Sequence, residues 1–166
     1  MQFRFVHDFD IDPTSFWEMF FSEAFEDELF RGLKMRSWKV LVRREEGSTL
    51  HRHVKLEPDI AIPSWATSVV KETGYTEIDL YSKAESKMDV RIEPAVMRDR
   101  FHLSGVFAVT PLGPGRCRRE FSGEIRVSVP LLGGKIEKFM LDQIRDGYDQ
   151  AARVTQAFIA RRKSQS

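Results

Sequence analysis

Two arginines stand out of phase with their surroundings. Alternation along residues 50–56 places Arg52 on the face of Leu50, Val54 and Leu56. Alternation from Cys117 to Val129 places Arg119 with Cys117, Phe121 and Ile125. A guanidinium turned into an apolar enclosure is costly unless it meets a counter-charge. Such a residue therefore implies a carboxylate partner or an anionic ligand headgroup, a phosphate, carboxylate or sulfate. The competing readings are a bulge that shifts the phase and, for Arg119, a position near a strand end from which the side chain reaches water.

Other chemistry-bearing residues carry weaker signals. His51 and His53 at i and i+2 project from one strand face, with His102 a conceivable third ligand. Two or three scattered imidazoles are a bare set for zinc, so they read as solvated histidines and no metal site is expected. Cys117 lies between Arg116 and Arg118. Neighbours along a strand point away from it, so it reads as a core thiol and not an activated one. Tyr75, Glu77, Asp79 and Tyr81 share a face, which reads as the wet side of a sheet in preference to an acid/base surface. Nucleophile-elbow, zinc-protease, Walker and dinucleotide motifs are missing, so no cofactor is expected. Arg43-Arg44, Arg116-Arg118-Arg119 and Arg161-Arg162-Lys163 form short basic patches. These suit transient contact with an anionic membrane at about 1 kcal/mol per residue, or a solvated surface balanced by acids.

The elements that must hold these residues follow from periodicity. Gln2 to His7 alternates as a short strand, and Asp12-Pro13 reads as the cap and first residue of a helix. The aromatic run from Phe16 to Phe30 is too broad for one stripe, and Ser22-Glu23 splits it into two short helices ending near Gly32. Period-two segments follow: Trp38 to Arg44 with Trp38, Val40, Val42 and Arg44 on one face, then 50–56, 75–82, 88–93, 101–109 and 117–129. Ser64 caps a predicted short helix carrying Trp65, Val69 and Val70 and ending at Gly74. Gly105 and Gly123 fall at inward positions, marking either curvature, the favoured reading, or room for a ligand. From Gly133-Gly134 to Arg162 the period becomes 3.6, with Ile136, Phe139, Met140, Ile144, Tyr148, Ala151, Val154 and Phe158 in one stripe. Gly147 within it costs about 1 kcal/mol relative to Ala.

Composition narrows the class. The 166 residues suit one domain over 1–162 with a disordered tail at 163–166, and 42% apolar content is globular. Thirteen Phe imply an aromatic core or a lined cavity. A net charge of +1 offers no field for nucleic acid, and no nucleic-acid partner is expected. The single cysteine fits a reducing, cytoplasmic setting, and no apolar run approaches the ~20 residues of a membrane span.

The resulting order is strand, helix pair, antiparallel strands and one long helix. It resembles the START / Bet v 1-like superfamily, the helix-grip or SRPBCC fold. The segment from Val127 to Lys138 resembles the last strand and helix entry of a bacterial branch of that superfamily, and Phe16-Trp17 to Phe25 fits its first helices, loosely similar to VASt sterol-transfer domains. The resemblance implies an α+β domain whose curved antiparallel sheet wraps around the C-terminal helix. It also implies a cavity for a hydrophobic or amphipathic small molecule such as a lipid or sterol. The expected lining is Val90, Phe107, Phe121, Ile125, Met140, Ile144 and Tyr148, with Arg52 and Arg119 directed inward and Trp65 on a lid. Binding without chemistry is the preferred function, because the inward positions lack a strong acid or base. A cyclase- or dehydratase-like enzyme and a ligand-free interaction module are the alternatives, and the residues leave the oligomeric state open.

Overall fold

Asp12 and Ser22 set the first two turns of the chain. Each is extended at its own backbone while its side chain accepts a hydrogen bond three residues on, Asp12 from Ser15 N–H and Ser22 from Phe25 N–H. The computed structural model describes residues 1–166, and these caps begin α1 (Pro13–Phe20) and α2 (Glu23–Gly32), which follow β1 (Gln2–Phe9). The chain continues through β2 (Met35–Glu46), β3 (Thr49–Pro58), β4 (Tyr75–Ser82), β5 (Lys87–Pro94), β6 (Phe101–Gly113) and β7 (Arg116–Val127), and closes with α3 (Gly133–Ser164). The seven strands form one antiparallel sheet in the order β1-β7-β6-β5-β4-β3-β2. The expected curved sheet, paired short helices and long terminal helix are all present.

The sheet folds on a glycine pair. Gly105 and Gly123 face each other directly across β6 and β7. A Cβ on Gly123 would lie 2.2 Å from the Ser104 carbonyl and 2.6 Å from Gly105 Cα, and one on Gly105 would lie 2.8 Å from the Phe121 ring. These glycines serve close backbone approach, and aromatic rings already fill the room beside them.

Packing is uneven along the concave face. Phe3, Phe9, Phe16, Trp17, Phe107, Phe121 and Ile125 belong to one closed core beneath α1, β1, β6 and β7. The α3 backbone approaches β7, β1 and α2 most closely and stands off from the strands between them and β2. Ile136 is buried near its start, and Ala151, Ala152, Thr155 and Ile159 are buried toward its end. Between Ile136 and Ala151 no residue of α3 is fully buried.

Four sequence readings change. The helix continues to Ser164, two residues past the expected boundary, with Arg161, Arg162 and Lys163 in its last turn where cations favour the helix dipole. Strand β7 stops at Val127, because Val127 N–H donates to Glu137 Oε1 at 2.8 Å instead of to a strand. The Ser64–Gly74 segment holds only a 3-10 turn at Ser64–Ala66. A register shift between Val40 and Val42 reverses the phase of β2, so Val40 pairs with inward Val54 and Val42 with outward His53.

Gly123→Ala is expected to destabilise by more than about 3 kcal/mol, since the obstruction is backbone. Gly147→Ala meets nothing within 4 Å and is expected to stabilise by about 1 kcal/mol. Urea unfolding of both variants checks the contrast.

Candidate functional site

Register decides which polar groups face inward. Strand β4 pairs with β3 so that Asp79 lies opposite Arg52, Glu77 opposite Val54 and Tyr75 opposite Leu56. On its other side Asp79 lies opposite Val90 and Glu77 opposite Ile92. Tyr81, on the same face, packs its ring 4.5 Å from Trp17. The Tyr75, Glu77, Asp79, Tyr81 face is therefore the concave, inner one, which corrects its reading as the wet side. Ile78 and Leu80 take the outer face instead, and Leu80 is 39% exposed.

Arg52 is directed inward as expected, at 3% exposure, and meets carboxylates supplied by the protein itself. Glu26 of α2 approaches its guanidinium at 3.2 Å and Asp79 at 3.7 Å. The Phe20 and Phe21 rings flank it at 6.0 and 5.7 Å. Asp79 is 1% exposed, and neither of its carboxyl oxygens has a hydrogen-bond donor. Burial and the neighbouring Glu77 charge push the Asp79 carboxyl well above the ordinary carboxylate range, with Arg52 opposing. Burial likewise raises Glu77. Two carboxyls so placed compete to ionise, and a proton kept by one of them is a donor from which the other can accept.

Arg119 has a different environment. No carboxylate lies within ion-pair reach; its guanidinium donates to His7 Nδ1 at 2.9 Å and to the Tyr148 carbonyl at 3.1 Å. Since arginine has no acceptor, Nδ1 accepts, and the His7 proton sits on Nε2 facing Asp149 Oδ1 at 2.9 Å. The rings of Phe9, Tyr148 and Phe107 surround the cation at 5.1, 5.3 and 5.8 Å. Burial lowers its pKa to about 10. Cys117 is fully buried nearby, and burial raises its thiol to about 12, which makes it the inert core thiol expected from its phase.

The stripe of α3 is incompletely covered along its middle. Met140, Ile144 and Tyr148 face the sheet yet keep accessible surface, as do Tyr75 and Glu77 opposite. Burial raises the Tyr75 and Tyr148 hydroxyls and the Glu77 carboxyl. Beside the first turns of α3 is an apolar cavity of about 100 Å³. Trp65, Tyr75, Ile92, Ile136, Phe139 and Met140 line it. Trp65 sits edge-on to Phe139 at 6.2 Å, with Lys135 Nζ 4.3 Å above its ring, so its turn covers the start of α3. A larger depression of about 1000 Å³ lies across Ile78, Leu80, Val106 and Ser122 on the outer face, but it is open to solvent and away from the buried charges.

The residues singled out from sequence thus separate into groups. Trp65 and Met140 line the cavity, Ile144 and Tyr148 pack partly buried against the core, and Arg52 and Arg119 stand inside the domain. Val90, Phe107, Phe121 and Ile125, at 5, 3, 3 and 0% exposure, are packed core. His51 lies 3.8 Å from Glu46, and His102 contacts Ser104 on the outer face. Sequence reasoning missed Glu26, Tyr75, Glu77, Asp79 and His7 as a set. The usable signal was the direct opposition of Arg52 and Asp79, which the long β3–β4 connection hides.

The fold is the helix-grip fold, shared with a solved START superfamily protein and with two enzymes of known structure. Zhui aromatase/cyclase from Streptomyces sp. R1128 superposes with a TM-score of 0.69 at 12% identity, over 98% of this chain and 94% of that one. A START superfamily protein from Mycobacterium smegmatis gives 0.62 at 14% identity over 96% and 97%. Norcoclaurine synthase from Thalictrum flavum, in complex with dopamine and hydroxybenzaldehyde, gives 0.64 at 11% identity over 96% and 87%. The chain belongs to the family described as "protein of unknown function (DUF2505)", whose model matches residues 4–159. No curated protein matches it in sequence.

The raised carboxyls imply a signed pH dependence. The folded pair keeps a proton that the unfolded chain releases near the ordinary value of about 4, so its contribution to stability is full below that pH and is lost as pH rises toward the folded value. Glu77→Gln removes one of the two competing charges. Its melting temperature is expected to rise by a few degrees at pH 8 and to change little at pH 4. An equal shift at both pH values would contradict the buried pair.

Proposed function

We propose that the domain binds a small amphipathic molecule in the space between the sheet and the middle of α3. The observation that carries this reading is the stretch from Ile136 to Ala151, where α3 buries nothing completely although its apolar side faces the sheet. A helix that serves only to close a core buries that stripe throughout. The apolar cavity beside Trp65, which Tyr75 also lines, forms one end of the binding region, and Glu77 lies two residues further along the same face of β4. An apolar enclosure with a few convergent polar groups is the usual form of a small-molecule site. Leu131, fully exposed in a left-handed backbone conformation beside the α3 N-terminus, is the point at which a lipid surface would be touched during loading. No helix is long and apolar enough to cross a membrane.

A second reading, an enzyme of the cyclase or dehydratase type, rests on a specific observation. Its main objection from sequence was the want of an acid or base inside, and Glu77 and Asp79 remove that objection. A carboxyl pair with raised pKa, held in an apolar enclosure, is suited to proton transfer at neutral pH. The similarity to an aromatase/cyclase is one of fold.

Filling the space tests the binding reading. Ile144→Phe is expected to cost less than about 1 kcal/mol, where overpacking a closed core costs about 1–3 kcal/mol, and to abolish binding of whatever hydrophobic molecule co-purifies with the wild-type protein. Native mass spectrometry with solvent extraction, run beside thermal unfolding, reads both. A wild-type protein that carries nothing, together with a strongly destabilised Ile144→Phe, would overturn it.

A further inference from the structure

The buried charges are unequal. Glu26, Glu77 and Asp79 converge on the interior side of β3, β4 and α2, and Arg52 is the only cation paired with them. Three negative charges against one positive leave two uncompensated when all are ionised. The other buried cation, Arg119, is committed to His7 and the Tyr148 carbonyl. Both Asp79 oxygens are enclosed without a hydrogen-bond donor, and Glu77, two residues earlier on the same face of β4, is the less buried of the two. We infer that the Glu77–Asp79 pair is the recognition site for a protonated amine, so that the ligand is an amphipathic molecule with a basic nitrogen. This rests on the binding reading above and reverses the anionic headgroup suggested by Arg52 in the sequence, because Glu26 and Asp79 already neutralise that guanidinium.

The chemistry fits in three respects. An ammonium group donates up to three hydrogen bonds, which both Asp79 oxygens are free to accept; Arg52 Nε and Nη1 are buried without partners beside them, Nη1 at 3.7 Å from Asp79 Oδ2. Its charge replaces the proton that the two carboxyls otherwise share, so the site is neutralised without transferring an unpaired charge into the interior. Tyr75 lines the neighbouring apolar cavity, and an aromatic face favours a cation over an anion, whereas the Tyr148 ring is stacked on Phe121 and Phe5. The groups facing the pair are Arg52, Glu26, Tyr75 and Tyr148, and Arg52 alone among them opposes the amine.

Phenethylamine, 2-phenylethanol and 3-phenylpropionate carry one ring with three headgroups, and isothermal calorimetry at pH 7 ranks them on the intact protein. The amine is expected to bind at least about 10-fold more tightly than either other probe. Glu77→Gln and Asp79→Asn are each expected to remove that advantage while leaving the alcohol's affinity unchanged. Should either variant fail to fold, the wild-type ranking still decides. Alcohol or carboxylate binding as tightly as the amine would overturn the amine assignment and leave the cavity reading intact. Failure of all three to bind would overturn both.

Discussion

Placing Glu77 and Asp79 side by side on the concave face of β4 is the constraint on which the rest of the interior depends. Two carboxyls in an enclosed space require a proton, a cation or both. Arg52 supplies part of the answer from directly across the strand pair, and Glu26 of α2 then competes for the same guanidinium. The α1–α2 pair is held over this cluster by the Asp12 and Ser22 caps, and it adds the Phe20 and Phe21 rings that shield Arg52 from water. Local capping chemistry thus sets the position of a charge network some distance along the chain.

The two ends of the interior differ in character for physical reasons. Beneath β1, β6 and β7 the paired glycines let the sheet fold tightly, and aromatic rings from Phe3, Phe107, Phe121 and Tyr148 close the core. Arg119 survives there because His7 and a backbone carbonyl accept its protons and three rings enclose its face. Beneath β3 to β5 the helix stands off, carboxyls join the inner face, and the Trp65 turn lines a small apolar cavity. One helix spans both regimes. Its buried residues at each end fix it, and its middle is only partly buried.

Much of this architecture was legible in residue order. Period-two segments, the split aromatic run and the 3.6-period C-terminal stripe gave the element sequence, and the Asp12-Pro13 and Ser22-Glu23 signals located both short helices. Arg52 and Arg119 were correctly read as inward from phase alone. The errors have identifiable causes. Along 75–82 both faces of the strand carry apolar or aromatic residues, so Ile78 and Leu80 competed with Tyr75 and Tyr81 for the inner side. Hydrophobicity favoured the wrong pair, since placing two carboxyls inside breaks the patterning rule, and such violations concentrate at functional sites. The bulge near Leu41 and the early end of β7 at Val127 depend on tertiary hydrogen bonds that no local pattern encodes. Phe107, Phe121 and Ile125 were rightly inward, but whether an inward residue packs or lines a space is set by how far α3 stands from each strand.

The carboxyl pair can be observed without any ligand. Carbon-detected NMR of the Glu77 and Asp79 side chains, followed from pH 3 to pH 9, reports each ionisation in place. A coupled titration displaced upward from the ordinary carboxylate range is the expected result. Two carboxyls that both ionise near the ordinary value of about 4 would contradict an enclosed, charge-poor interior and the account of the domain built upon it.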